Sequence, residues 1–356
     1  MFSTSLPKRT CAIVGLALAL ISITPAFAAP KSESWRRADG SSFEGRLVEL
    51  YGGLALISGR RHTGLVALDS LTDEQLQRVA AFEAARHSAP SLFATSASPI
   101  AREVRKDLRV LQNGKVIPYT LGDRREPDVY LFYFSASWCG PCHRFLPRLT
   151  RTYERMQRQW PGVFELIMIS WDEDIHSAEK YFREKAMPWL MLRFGAQAPS
   201  LNRWKPRGIP CLVAVTRRGD LLFHSYDGDN FLGPDTVLDK CEQLFPFLDE
   251  KSPVRLRSRH RLAVLQHQQA AGSGNASLQP YLTAIAAERA QFVPQDGMTF
   301  ILTVDEFGRV TDASVENDPF SPLNNVFRRD LETWLFLPAI ENGQPVASTA
   351  RLPVGR

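Results

Sequence analysis

Short apolar runs divided by turn signals give way twice to longer helical spacings, and these changes of period mark out three modules. From Ser34 to about Ala85, Trp35, Phe43, Leu47, Leu50 and the run Leu54–Ile57 are separated by Asp39-Gly40, Gly52-Gly53 and Ser58-Gly59, which predicts short strands. Leu71-Thr72 then opens a helix. Thr72 with Gln75 three residues later fits a capping box, and Asp73 and Glu74 suit the positive end of the helix dipole. The Ser-, Ala- and Pro-rich stretch 87–100 has little hydrophobic periodicity and reads as a linker.

Over 101–250 the predicted order is strand, helix, strand, helix, strand, strand, helix. Val129–Phe134 is a continuous apolar run, the pattern of a strand buried on both faces. Arg144–Gln159 carries helical spacing through Phe145, Leu146, Leu149 and Tyr153. Val163–Ile169 is a second buried strand and Ser177–Lys185 a second helix. A hairpin over Leu212–Thr216 and Leu221–Tyr226 and a closing helix from Pro234 to Phe245 complete a mixed sheet flanked by helices. Residues 251–295, a polar helical stretch broken at Ala271–Asn275, read as a connector. The last sixty or so residues read as strand, turn, strand, helix, strand, with Phe300–Val304 meeting Val310–Val315 across Asp305–Arg309.

Composition changes this picture little except at the start. A chain of 356 residues implies two or three domains, and 44% hydrophobic with 23% charged residues is ordinary for globular protein. The net charge of +5 includes Lys8 and Arg9 and is scattered, which argues against a nucleic-acid partner. Lys8 and Arg9, the apolar Cys11–Ile23 and the small residues Ala26-Phe27-Ala28 have the layout of a secretory signal peptide cleaved after Ala28. An uncleaved anchor is the alternative, although the run falls short of the roughly 20 residues that span a bilayer. The expected location is therefore the periplasm or cell envelope. Cleavage leaves Cys139, Cys142, Cys211 and Cys241, too few for a disulfide-stapled scaffold and enough for a redox site.

Candidate chemistry lies at Ser135–Phe145, SASWCGPCHRF, where Cys139 and Cys142 follow a buried strand and open a helix. Unpaired N–H groups at a helix start stabilise negative charge, so a thiolate forms more readily there than in free cysteine. Pro141 suits the first turn because its missing N–H has no helical partner, and Gly140 completes the Gly-Pro spacer. Cys139, ahead of the helix, is the expected accessible nucleophile, and Cys142, one turn in, the shielded thiol that resolves a mixed disulfide. Trp138 is expected to cover one side. Zinc needs about four ligands, and neither a second cysteine pair nor His143 completes a set. A static disulfide is the better rival. Cys211 and Cys241 are read as buried free thiols, with a second disulfide between them left open.

Three resemblances extend this reading. LFYFSASWCGPC, MISWDED (Met168–Asp174) and AMPWL (Ala186–Leu190) are similar to the tryparedoxins and nucleoredoxins of the thioredoxin-like class. That resemblance implies an α/β thioredoxin fold over 101–250 and reduction of disulfides in partner proteins without a bound cofactor. It also implies a cis Pro210, preceded by Ile209 and packed against the Cys139–Cys142 disulfide. Two departures stand out: the spacer is Gly-Pro rather than Pro-Pro, and Tyr133 stands where ordinary thioredoxin has a buried Asp. Asp172, after Trp171, is a replacement proton acceptor, a loop residue or a helix cap. Residues 30–86, with ESWRRADGSSFEGRLVEL and GLVALDSLTDEQLQRV, resemble the Sla-type homology domain, which implies a small SH3-like β-barrel. Residues 296–356, with TVDEFGRVTDASV and WLFLPAIENGQPV, resemble the TonB C-terminal domain, a small α/β module. Energy transduction is not implied, since a Pro-rich span is lacking.

Two functions of different class follow. One is an exported oxidoreductase acting on disulfide-containing exported proteins and fed by an unidentified electron donor. The other is an envelope adaptor whose terminal modules bind peptide or envelope-protein partners, with the cysteine pair regulatory or structural.

Overall fold

The computed structural model describes residues 33–59, 63–85 and 92–355; the expected signal peptide, 1–28, lies outside them. Four strands, β1 (Glu33–Arg36), β2 (Ser42–Tyr51), β3 (Leu54–Ser58) and β4 (Thr63–Ala67), form an antiparallel meander in chain order, followed by helix α1 (Asp73–Ala84). Among the described residues β1 and β4 do not pair, so the expected barrel is not closed. The capping box does not form either. The Thr72 side chain makes no cap hydrogen bond, and Gln75 does not reach back to the Thr72 amide, which donates to the Arg36 carbonyl at 3.3 Å while Gln75 Oε1 accepts from Arg78 Nη1 at 2.6 Å.

The central region begins with α2 (Pro99–Val104) and the hairpin β5 (Leu108–Gln112) and β6 (Lys115–Pro118). It continues through β7 (Val129–Ser135), α3 (Gly140–Gln159), β8 (Phe164–Ser170), α4 (Ile175–Glu184), β9 (Leu190–Leu192), β10 (Cys211–Thr216) and β11 (Leu221–His224). A small hairpin, β12 (Tyr226–Asp227) with β13 (Asn230–Phe231), precedes α5 (Pro234–Leu248). The sheet order is β11-β10-β7-β8-β9-β5-β6, with β7, β8 and β9 parallel and β10 antiparallel to β7. Every residue of β7 is buried, as its unbroken apolar run requires.

Alternation along that strand divides the core in two. Val129, Leu131 and Tyr133 face one side with Leu149, Leu166, Trp189 and Phe245. Tyr130, Phe132 and Phe134 face the other with Phe93, Ile100, Val104 and Trp204. The described part of the expected linker is thus structural, since Phe93 and Ile100 fill this second core and Ser98 caps α2 through the Ala101 amide.

The expected connector is also more than that. Helix α6 (Pro253–Ala271) inserts Leu262 into the core of the N-terminal meander beside Trp35, Leu71 and Val79. Its polar residues hold neighbouring backbone: Ser258 Oγ donates to the Gly53 carbonyl at 2.6 Å, and Arg259 Nη2 donates to both Glu83 carboxylate oxygens at 2.7 and 2.9 Å. His260 Nε2 sits 2.8 Å from the Phe336 carbonyl.

The C-terminal segment contains β14 (Gln279–Leu282), α7 (Ala287–Ala290), β15 (Met298–Val304), β16 (Val310–Val315), α8 (Leu323–Leu331), β17 (Leu335–Leu337), β18 (Ala339–Glu341), β19 (Gln344–Val346) and β20 (Ser348–Val354). A sheet β16-β15-β20 packs Phe300, Leu302 and Val304 against Phe327, Leu331 and Trp334. The expected order of two hairpin strands, helix and further strand is present.

Candidate active site

Strand β7 ends at Ser135, and the chain turns through Ala136–Trp138 to open α3 at Gly140. Cys139 is the residue that caps this helix. Its amide donates to the Ala136 carbonyl at 3.2 Å, and its carbonyl accepts from the His143 amide at 3.1 Å. Its sulfur accepts from the Cys142 amide at 3.1 Å. The sulfur therefore occupies the place a Ser or Asp oxygen takes at an ordinary helix start, where backbone N–H groups converge. Pro141 falls within the first turn.

Cys139 and Cys142 are joined as a disulfide. Cys139 is 3% exposed and Cys142 fully buried, so both sulfurs lie beneath the surface and Cys139 is far less open than its position ahead of the helix implied. The cause is local packing: Ala136, Trp171 and Ile209 enclose the pair, and the Ile209 carbonyl oxygen lies 3.7 Å from Cys139 Sγ. Trp138 instead projects outward at 64% exposure and does not cover the sulfurs by burial. The Ile209–Pro210 peptide is cis, directly before β10.

The surrounding polar groups have partners that the sequence did not disclose. Asp172 Oδ1 accepts from the Ser137 amide at 2.9 Å and from Ser137 Oγ at 2.6 Å, while Oδ2 accepts from Ser170 Oγ at 2.8 Å. This carboxylate binds the loop that carries the cysteines. Its visible bonds go to Ser137 and Ser170, which fits the loop reading of Asp172 better than direct proton exchange with Cys142. His143 Nε2 lies 2.7 Å from the Ser137 carbonyl, and its half-buried ring packs against Tyr181.

Tyr133 is buried and its hydroxyl accepts from Ser135 Oγ at 3.1 Å; Ser135 Oγ is also 3.2 Å from the Tyr181 hydroxyl. Burial pushes the Tyr133 and Tyr181 phenols well above their ordinary value, so both remain neutral donors. Trp171 is held by its amide to the Ser135 carbonyl at 2.9 Å and meets Phe134 edge-on, with Lys205 Nζ over its ring at 5.7 Å. Ser135, Ser137, Ser170 and Tyr181 went unrecognised in the sequence because serine and tyrosine carry no spacing rule of their own.

Among the described residues the other two thiols, Cys211 and Cys241, are free and buried. Burial pushes Cys211 up to about 11 and Cys241 higher still, which leaves both as unreactive, hydrophobe-like groups.

A family profile described as thioredoxin-like matches residues 127–221, the stretch from the lead-in to β7 to the start of β11. Probable nucleoredoxin 1 of Arabidopsis thaliana is 37% identical over 123 residues, covering 33% of this chain and 19% of that protein. Tryparedoxin of Trypanosoma brucei brucei is 34% identical over 128 residues, covering 33% of this chain and 85% of that protein. The solved structure of tryparedoxin from Trypanosoma brucei is 29% identical and covers 36% of this chain and 86% of its own, with a TM-score of 0.29. The chain thus spans about a fifth of the nucleoredoxin and most of the tryparedoxin, and through its central segment it belongs to the thioredoxin-like family, with tryparedoxins and nucleoredoxins as homologues.

Proposed function

We propose that the chain is an exported thiol–disulfide oxidoreductase that reduces or exchanges disulfides of partner proteins through Cys139 and Cys142. The observation that carries this reading is the 3.1 Å contact from the Cys142 amide to Cys139 Sγ at the start of a 20-residue helix. When the pair is reduced, that same N–H and the helix dipole favour the Cys139 thiolate. The thiolate attacks one sulfur of a partner disulfide, forming a mixed disulfide and releasing the other partner sulfur as thiolate. Cys142, deprotonated, then displaces the captured sulfur. Two electrons pass to the partner, and the Cys139–Cys142 disulfide remains until a dithiol donor restores it.

In this reading Ile209 and Pro210 line the approach to Cys139, and exposed Trp138 and half-buried Trp171 flank it. Asp172 acts as a positioning residue, holding Ser137 and thereby the loop before Cys139. No bound cofactor is required. The open meander at 33–85 serves as an Sla-type, SH3-like module and the C-terminal segment as a TonB-C-like module, with the leader directing the chain to the periplasm or envelope.

The second reading, an adaptor, draws on one observation: Phe320 on the C-terminal segment is 95% exposed, as a partner-binding aromatic would be. Insulin reduction separates the two. The parent chain is expected to turn over, and Cys139→Ser and Cys142→Ser each to fall to the uncatalysed background, with Cys142→Ser accumulating a mixed disulfide. Equal activity in parent and variants sinks the oxidoreductase.

A further inference from the structure

A cleft of about 750 Å³ lies where three parts of the chain meet: the β2–β3 turn with α1, the base of the central sheet, and α6. It stands at the opposite end of the sheet from the cysteines, since Asp128 precedes β7 while Arg217 and Arg218 follow the antiparallel β10. Five arginines line it: Arg125, Arg217, Arg218, Arg255 and Arg259. Four carboxylates, Glu49, Glu83, Glu126 and Asp128, oppose them.

The pairing is uneven. Arg217 is spent on Asp128 at 2.6 Å and on the Glu126 and Pro127 carbonyls, and Arg259 on Glu83. Arg255 reaches only the Leu248 carbonyl, at 2.6 Å, and makes no ion pair among the described residues. The Arg218 guanidinium makes neither an ion pair nor a hydrogen bond among the described residues and stands exposed at the rim. Arg255 and Arg259, one helical turn apart, add positive potential to the same wall and repel each other.

Two further features mark the chemistry of this wall. Burial first, and then the neighbouring Arg259, hold the Arg255 guanidinium below its ordinary value, more than the carboxylates of Glu250 and Asp128 offset. The Tyr51 hydroxyl in the same wall is buried and has no hydrogen-bond partner among the described residues; Thr216 lies close by without completing a bond. Buried polar atoms normally find a partner.

We propose that this cleft binds a small molecule bearing carboxylate or phosphate oxyanions, received by Arg218 and Arg255 with Tyr51 as a neutral donor. Guanidinium suits oxyanions because its fork of N–H groups bonds two oxygens at once. The volume admits a small organic acid or phosphate ester, and a junction between modules is a common place for such a site. A ligand here touches all three parts of the chain and so stabilises their arrangement.

The test uses the full chain, with inorganic phosphate and succinate titrated at ionic strength held constant with sodium chloride, read by calorimetry and by thermal unfolding. A saturable rise in Tm is expected with at least one of the two probes, and which one responds distinguishes a phosphate from a carboxylate ligand. Arg218→Gln, at the exposed rim, is expected to weaken binding about tenfold without altering the fold, Arg255→Gln more, and Tyr51→Phe several-fold. Disulfide reduction is expected to be unchanged in the Arg218 variant. If neither probe saturates, if the Tm shift follows ionic strength alone, or if Arg218→Gln and Arg255→Gln both bind as the parent does, the proposal is overturned.

Discussion

At the scale of single residues, a side chain's environment decides its charge. Glu165 points from β8 into the core, and burial raises its carboxyl from 4.5 to about 7, against the pull of Arg124 at 2.9 Å. A raised carboxyl means that the folded state keeps a proton which the unfolded chain releases between those two values. Its contribution therefore falls as pH rises through that window, by about 3 kcal/mol at most. Glu165→Gln is expected to flatten this slope. Urea unfolding of both proteins at pH 5 and pH 7.5 checks it, and an identical pH dependence in the two would refute the assignment. Arg124 is partly exposed and remains solvated in the variant, so loss of the pair adds little.

Among the elements, α6 is where sequence and structure part most. Its pattern is polar, so it reads as a connector, yet Leu262 lies fully buried in the N-terminal core. Leu262→Ala is expected to cost about 2–4 kcal/mol, measured by denaturant unfolding, whereas a true connector would lose almost nothing. The buried strands and helices of the central region were legible because their apolar runs are long and their period is unambiguous. So was the cysteine pair, since a strand, two cysteines three apart and a helix start fall in one short string. The hairpin β5–β6 passed unread although Asn113-Gly114 signals it; both residues adopt positive φ, 51° and 73°, as the tightest hairpin turns require. What sequence could not disclose were contacts between distant polar residues, such as Asp172 with Ser137 or Ser258 with Gly53, because a hydroxyl or a carboxylate does not announce its partner. The capping box misled for the same reason: the Thr72 amide goes to the Arg36 carbonyl and the Gln75 side chain to Arg78.

For the whole molecule, the three segments join by backbone as well as by core. The Gly53 amide donates to the Phe247 carbonyl at 3.0 Å, and at Gly52, where φ is 55°, an added Cβ would fall onto that same carbonyl oxygen. Gly52→Ala is therefore expected to loosen the N-terminal meander from α5 and lower global stability by about 2 kcal/mol or more, seen as a drop in Tm. Insulin reduction per folded molecule should persist, because the cysteines lie at the other end of the sheet. A further consequence follows from the sulfur cap on α3. Cys139 is the capping residue of α3, and its Sγ accepts the Cys142 amide as a capping hydroxyl oxygen would. Opening the sulfur–sulfur bond is therefore expected to leave the helix start anchored, so that the two oxidation states would share one outline. On the proposed function, a partner that distinguishes the oxidised from the reduced protein would do so by feeling for the sulfur itself, and a probe of overall shape would report the two forms as the same molecule.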